Sequence, residues 1–345
     1  MDSILFKKFL PSIRKNVLLR DYTTFRIGGP ADFFYEAKTE KNLIKAVKTA
    51  KILKMPYFIL GNGSNILFSD KGFRGLVIRN LVSGARIIKH FREGKNEKRE
   101  ISRACYIPVD QKKYLQFSDL DYPQEPFDTE IQVCSGAPLP QLIQWSLKKN
   151  LCGLQWFAGI PGSVGGAVVC NVHGGTKLFS DYIEEITVLD KDNKIKKIRK
   201  SKAGFAYDFS RFQKEESVIL KVNIFLSRGD IKRANLVYEK WRQRKLKVQP
   251  QTNCPGSVFK NFSESVVRKR KFPTTAAGWF IDQCGLKGKT VGGVEVSEKH
   301  ANFFVNFDHG TAEDVKKLIR IAKKSVKNEF NLDLEEEIMV LPEKI

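Results

Sequence analysis

The sequence predicts a mixed α+β protein of more than one domain, and three observations carry that reading. At 345 residues the chain exceeds one common domain and has room for two or three. Its 42% hydrophobic content, with 25 Phe, supplies enough apolar material for real cores and is far from a disordered composition. Short apolar runs alternate with amphipathic stretches, the pattern of strands interleaved with helices.

The elements follow in order. Ala31–Ala37 reads as a strand. Residues 41–53 put Leu43, Ile44, Val47, Ala50 and Leu53 on one helical face. Tyr57–Leu60 is a short apolar strand that runs straight into Gly61-Asn62-Gly63-Ser64-Asn65, after which Ile66–Phe68 and Gly75–Arg79 resume as strands. Residues 83–130 are polar, charge-rich and weakly periodic, and read as a surface insertion that could hold a hairpin. A helix over Pro138–Asn150 leads to Gly153–Phe157 and a glycine turn over Gly159–Gly166. From about residue 227 come a helix at Ile231–Lys245, a Pro/Gln-rich connection, the segment Gly256–Asn261 and a helix near Ala276–Cys284. The helix Ala312–Phe330 carries Val315, Leu318, Ile319, Ala322 and Val326 on its apolar side, with Thr311 as N-cap, and Ile338–Leu341 is the last strand.

The formal charge of +22 calls for anionic partners. The basic runs Arg242–Lys247 and Arg268–Lys271 read as solvated surface. Aromatic–basic interleaving is concentrated nowhere, so no specific nucleic-acid partner is expected. No stretch approaches the ~20 apolar residues of a membrane span, and Met-Asp-Ser-Ile-Leu-Phe-Lys-Lys has no apolar leader core. The six cysteines form no CxxC pair. Neither a metal site nor a redox pair is expected, and buried reduced thiols in a cytoplasmic monomer are the reading.

The glycine-rich turns carry the chemistry. In Gly61–Asn65, glycines permit positive φ and close backbone approach, so successive N–H groups can converge on an anion, and Ser64 and Asn65 add side-chain donors. The segment is not GxGxxG and a strand follows it, which disfavours a Rossmann site. Taken alone it could equally be a hairpin turn. Ile160-Pro161-Gly162-Ser163-Val164-Gly165-Gly166-Ala167 is denser, with three glycines in five residues. Thr23-Thr24-Phe25-Arg26-Ile27-Gly28-Gly29 adds an arginine suited to a diphosphate.

These segments, in this order, resemble the UDP-N-acetylenolpyruvoylglucosamine reductases. The likeness continues through Ser69–Gly75, Gly256–Asn261, Ala277–Gly288, Val296–Asn306 and Leu334–Ile338, and spans most of the chain outside 83–130. It implies a flavin fold related to vanillyl-alcohol oxidase, with two FAD-binding subdomains and a C-terminal α+β substrate domain. On this sequence those parts are expected at 1–80 with 331–345 returning to it, at 81–226, and at 227–330. It also implies non-covalent FAD, reduction by NADPH, and a UDP-sugar substrate whose enolpyruvyl ether is reduced. The FAD contacts it implies are Arg26, Ile27, Gly28, Gly61, Asn62, Gly63, Ser64, Asn65, Ile160, Gly162, Ser163, Gly165, Gly166 and Ala167. Ser257 matches the proton-donating serine, Glu337 the catalytic glutamate, and Tyr207, Lys260 and Asn261 the substrate side.

Two places depart from the pattern. The family has Tyr-Arg-x-Ser where this chain has Tyr207-Asp208-Phe209-Ser210, so an acid stands at the catalytic arginine position. The family's Met-Asn-Ala-Gly-Ala-Tyr-Gly reads here Cys170-Asn171-Val172-His173-Gly174-Gly175. Three readings of Asp208 stay open: Arg211 supplies the guanidinium from the next turn, a basic side chain reaches in from elsewhere, or the protein is an FAD-dependent oxidoreductase with a different acidic substrate. The stretch between Phe212 and Lys245 has no room for the additional tyrosine loop of some members, so the chain is the shorter form.

Overall fold

The computed structural model describes residues 9–91, 126–175 and 177–342. In chain order the strands are β1 (Arg14–Leu18), β2 (Pro30–Ala37), β3 (Tyr57–Leu60), β4 (Ile66–Phe68), β5 (Phe73–Asn80), β6 (Ala85–His90), β7 (Thr129–Cys134), β8 (His173–Gly174), β9 (Lys177–Leu178), β10 (Ile183–Leu189), β11 (Ile195–Arg199), β12 (Val218–Leu226), β13 (Thr290–Val291), β14 (Val294–Val296), β15 (Phe304–Asn306) and β16 (Met339–Leu341). Longer helices cover Glu40–Ile52, Leu139–Lys148, Ile231–Val248 and Ala312–Phe330.

The first sheet has the order β1-β2-β5-β3. β5 runs parallel to both neighbours, and the helix Glu40–Ile52 makes the crossover from β2 to β3. That helix buries Leu43, Ala46, Val47 and Ala50 against Leu76 and Ile78 of β5. The second sheet, β11-β10-β12-β7-β6, is antiparallel throughout. Its core holds Trp156, Phe157 and Tyr182 and takes in Ala234 and Val237 of the helix Ile231–Val248. A third core collects Phe259, Phe280 and Phe304 beneath the helix Ala312–Phe330, together with Phe25, Ile27 and Leu67 from the N-terminal part.

Two ties join the ends of the chain. β16 pairs in parallel with β4, Val340 opposite Leu67. Asp70 accepts from the N–H groups of Ala312 (2.7 Å) and Glu313 (3.2 Å), so the turn after β4 is fastened to the start of the last helix. Those are donors that a helix end leaves without intrahelical partners. Thr311 completes the cap by accepting from Asp314 N, while Asp314 accepts in return from Thr311 N.

Three expectations need correction. The segment 83–130 is not wholly an insertion: Ala85–His90 and Thr129–Cys134 pair as an antiparallel hairpin inside the second sheet. β6 is a largely exposed edge strand, which hides its apolar alternation; residues 92–125 lie outside the described set. The second glycine turn ends early, because Val164–Cys170 is helical. Its two glycines have poor helix propensity, but Ser163 caps it by accepting from Gly166 N at 3.3 Å. Of the five free cysteines in the described residues, Cys152 is buried, whereas Cys134, Cys170, Cys254 and Cys284 are half-buried.

Candidate active site

The three cores meet around a cleft of about 2220 Å³, well above the roughly 300–1,000 Å³ usual for one small ligand. There is room for a cofactor and a substrate together.

One end is made of backbone. The turns Gly61–Asn65 and Gly162–Gly166 face each other across it, and Asn62 Nδ2 donates to Gly162 O at 3.0 Å. Gly63 has φ +64°, and a Cβ there would collide with the carbonyl of Tyr22. Thr24 N donates to Gly63 O at 3.0 Å, which binds the Thr23–Gly29 segment to the same wall. The backbone N–H groups of Asn62, Gly63, Ser64, Gly162 and Ser163 have no acceptor among the described residues. A row of unpaired backbone donors along a cleft is an anion cradle. The residues present therefore fit a diphosphate such as that of FAD.

Arg26, Ile160, Gly165, Gly166 and Ala167 also line this end. Ile27 and Gly28 sit behind it: Ile27 is buried in the third core, and a Cβ on Gly28 would lie 2.8 Å from Phe68 Cβ. Their side of the chain is committed to packing.

The other end is made of charged and polar side chains. Ser257 lines the cleft, and its hydroxyl has no partner among the described residues. The strand-like segment that carries it is clamped by Asn302, which accepts from Phe259 N (2.9 Å) and donates to Phe259 O (2.8 Å). Within the run of glutamates, Glu335 turns to Lys260 and Glu336 to Lys323. Glu337 faces the cleft instead, its backbone held by Val258 O and by Asn65 Nδ2. Burial raises the Glu337 carboxyl well above the usual carboxylate range, the negative charge of Asp208 raises it further, and Lys260 opposes both. Each of the two raising effects favours its protonated form.

Tyr207 and Asp208 form the tip of a tight hairpin closed by Ala206 and Phe209, which exchange hydrogen bonds of 3.0 and 3.2 Å. Asp208 takes the left-handed conformation, φ +49°, which aspartate tolerates better than most residues. Asn171 Nδ2 donates to Ala206 O (2.7 Å) and Ser210 Oγ to Val169 O (2.7 Å), so the hairpin is pinned to the helix Val164–Cys170. Tyr207 itself does not line the cleft; its hydroxyl accepts from Asn261 Nδ2 at 3.1 Å. Asp208 Oδ1 lies 3.0 Å from His173 Nδ1. Arg211 does not reach the cleft: it pairs with Glu215 at 2.6 Å and donates to Lys202 O at 2.7 Å, so it replaces no missing guanidinium.

Sequence reading passed over Lys245 as part of a surface charge run. Its side chain lines the cleft beside Gly159, without an acidic partner among the described residues, and burial pulls its ammonium down to about 8. His300 also lines the cleft; burial, helped by Lys287, takes its imidazole down to about 4, so it is neutral at physiological pH. Nothing local in the sequence marks either residue. Asn302 and Asn171 lie in segments that resemble the family, yet their clamping contacts appear only in three dimensions. Burial raises the Cys170 thiol to about 11, so it is not a nucleophile at neutral pH.

Residues 249–341 match the family model described as the UDP-N-acetylenolpyruvoylglucosamine reductase C-terminal domain, and residues 119–199 match an FAD binding domain. A reductase of that name from Clostridium novyi (strain NT) is 33% identical over 347 residues, covering 100% of this chain and 96% of the relative. The chain belongs to the UDP-N-acetylenolpyruvoylglucosamine reductase family. The corresponding protein of Chlamydia abortus is 31% identical over 97% of this chain. The crystal structure of the Thermus caldophilus family member superposes with a TM-score of 0.69 at 28% identity, covering 96% of this chain and all of the other. The fold is thus the mixed α+β, FAD-binding fold of that family. No helix among the described residues is long and apolar enough to cross a membrane.

Proposed function

We propose that the protein is an NADPH-dependent flavoenzyme that reduces the enolpyruvyl ether of UDP-N-acetylglucosamine-enolpyruvate to UDP-N-acetylmuramate, a step of peptidoglycan synthesis. One observation carries this beyond family membership. A cleft sized for two ligands joins a backbone anion cradle to an end that holds an unpartnered serine hydroxyl and a buried carboxyl raised well above its usual range, Ser257 and Glu337.

FAD, when bound along the two glycine turns, supplies the two-electron hydride chemistry between NADPH and substrate. The reduction adds a hydride to one carbon of the substrate double bond and a proton to the carbon bearing the carboxylate. In this reading Ser257 supplies that proton. An alcohol is a poor acid in water, but it suffices against a carbon carrying developing negative charge. Glu337, its carboxyl raised by burial and by Asp208, is disposed against adding a further negative charge where the substrate carboxylate must sit. Lys260 and Asn261 hold the substrate, with Asn261 fixed by Tyr207 and by Ala277 N at 3.1 Å. Lys245, a half-buried ammonium with no acidic partner, suits the nucleotide diphosphate.

The parts are assigned as 1–80 with 331–345 and 81–226 for the cofactor, and 227–330 for the substrate. The β4–β16 pairing supports the return of the C-terminus to the first part. The helix Ile231–Val248 lies at the seam, since its buried residues pack on the second sheet. The cytoplasm, where NADPH and UDP-sugars are available, is the compartment that suits this activity.

The test is product analysis. Incubated with NADPH and the enolpyruvyl UDP-sugar, the protein should yield a product heavier by two hydrogens, with deuterium from labelled NADPH at one carbon and solvent deuterium at the other. NADPH consumption with the sugar unchanged would favour the reading of an oxidoreductase acting on a different acidic substrate, the alternative that Asp208 raises.

A further inference from the structure

We propose that His173, held by Asp208, receives the carboxylate of the enolpyruvyl arm and stabilises the charge that gathers on it during reduction. The proposal rests on the reductase reading above and names a residue for which that reading has no role.

Charge balance at this end of the cleft leads to it. The Asp208 side chain is 5% exposed. Its Oδ1 meets His173, and its Oδ2 is buried with no partner among the described residues. A carboxylate taken this far out of water needs a positive charge beside it. No Lys or Arg pairs with Asp208 among the described residues; the imidazole of His173 is its ion-pair partner. The same crowding raises the carboxyl of Glu337, the neighbouring acid. The buried Asp208 carboxyl is thus left with the imidazole of His173 as its side-chain partner at this end.

The ring is oriented as well as paired. Nδ1 is engaged by Asp208, which leaves Nε2 as its one unengaged polar atom. The ring stacks on Tyr207, with centroids 5.1 Å apart and planes at 25°. Tyr207 is fixed by Asn261, four positions after Ser257. Gln213 Nε2 holds the backbone of Asp208 from the other side, donating to Asp208 O at 3.0 Å. The His173 side chain is 30% exposed and lines the cleft. An imidazolium whose first N–H is committed to a carboxylate offers its second N–H to an anion in a fixed direction.

Among the other basic groups near this end, Lys260 is paired with Glu335 and already assigned to holding the substrate, Arg211 is turned away, and His300 is neutral. Cys170 lies nearby as a protonated thiol and brings no charge.

In the reaction, hydride addition at one carbon leaves negative charge on the other, shared with its carboxylate. The Nε2–H of His173 donates to that carboxylate while Ser257 delivers the proton to carbon. His173 is the catalytic residue here and Asp208 the positioning one. The two departures from the family pattern, at 173 and 208, then become the two halves of one contact. An acid replaces the arginine, and an imidazole stands where the pattern has glycine.

The test uses the flavoprotein as isolated and two probes, UDP-N-acetylglucosamine and its enolpyruvyl ether, measured by equilibrium binding to the oxidised protein. The wild type should prefer the enolpyruvyl compound. His173→Ala should lose roughly tenfold to a hundredfold of that preference, the range of a charge-assisted hydrogen bond, with binding of the probe that lacks the carboxylate shifted less than about threefold. Asp208→Asn should weaken the preference in the same direction but by less. After reduction with dithionite, reoxidation of His173→Ala by the enolpyruvyl sugar should be slower by about 10² and should recover in part with added imidazole. A wild type that prefers the enolpyruvyl sugar, together with a His173→Ala protein that keeps both preference and reoxidation rate, overturns this proposal alone. A wild type that does not distinguish the probes overturns the reductase reading and this proposal together.

Discussion

The two ends of the cleft are built from different materials. The cradle end is backbone: turns at Gly61–Asn65 and Gly162–Gly166 that line the cleft with N–H groups left without acceptors among the described residues, where glycine allows the chain to come close. The reacting end is side chain, with Ser257, Glu337, Asp208 and His173 brought together from four distant segments. A backbone site changes little when side chains change, so it can be retained while the chemistry beside it is rearranged. A side-chain site can exchange charges only if partners change together, as Asp208 and His173 do.

That contrast can be broken from either side. The largest effect is expected at the cradle. Gly63→Val places a β-branched residue at φ +64° against the Tyr22 carbonyl, and the protein should purify without flavin while its far-UV circular dichroism is retained. A yellow Gly63→Val protein would show that the turn is not the cofactor wall.

Ser257→Ala should behave in the opposite way. It should keep its flavin spectrum, while reoxidation by the enolpyruvyl sugar slows by about 10² or more. Loss of flavin in this variant would erase the division between the two ends.

Glu337→Gln tests the charge account without any substrate. The folded-state carboxyl is raised, so the unfolded chain ionises it first as pH rises, and it costs the fold stability above the ordinary carboxylate range. The variant should therefore melt higher than wild type at pH 8 and show no such gain at pH 4. An equal shift at both values would mean that Glu337 is ionised in the folded protein. The smallest effect is expected for Arg211→Ala, less than about twofold on turnover, because its guanidinium is tied to Glu215 on the exposed side.

How much could be read in advance follows the same division. The helix Ala312–Phe330 and its Thr311 cap were legible because a 3.6-residue period and a cap are local signals. The glycine turns were legible because glycine density has few other uses. The small helix after Gly162 was missed because propensity argued against it and a tertiary wall overrode propensity. The strands β6 and β7 were read only as a hairpin that a surface insertion could hold, and not as part of the second sheet, because an exposed edge strand carries no apolar alternation. At the reacting end, Ser257 and Glu337 could be placed by resemblance. Their clamp, Asn302, and the pairing of residues 173 and 208 could not, since contacts across 43 and 35 positions leave no mark in either local stretch. Lys245 looked like one charge among several, and only its place against Gly159 separates it from the others.

The most direct measurement is anaerobic and in two steps. NADPH is added to the purified protein and the bound flavin is followed as it bleaches; the enolpyruvyl UDP-sugar is then added with oxygen still excluded. The flavin should bleach and then return in full, one oxidised flavin for each sugar reduced. A flavin that NADPH reduces but the sugar leaves bleached would contradict the assignment of the reacting end.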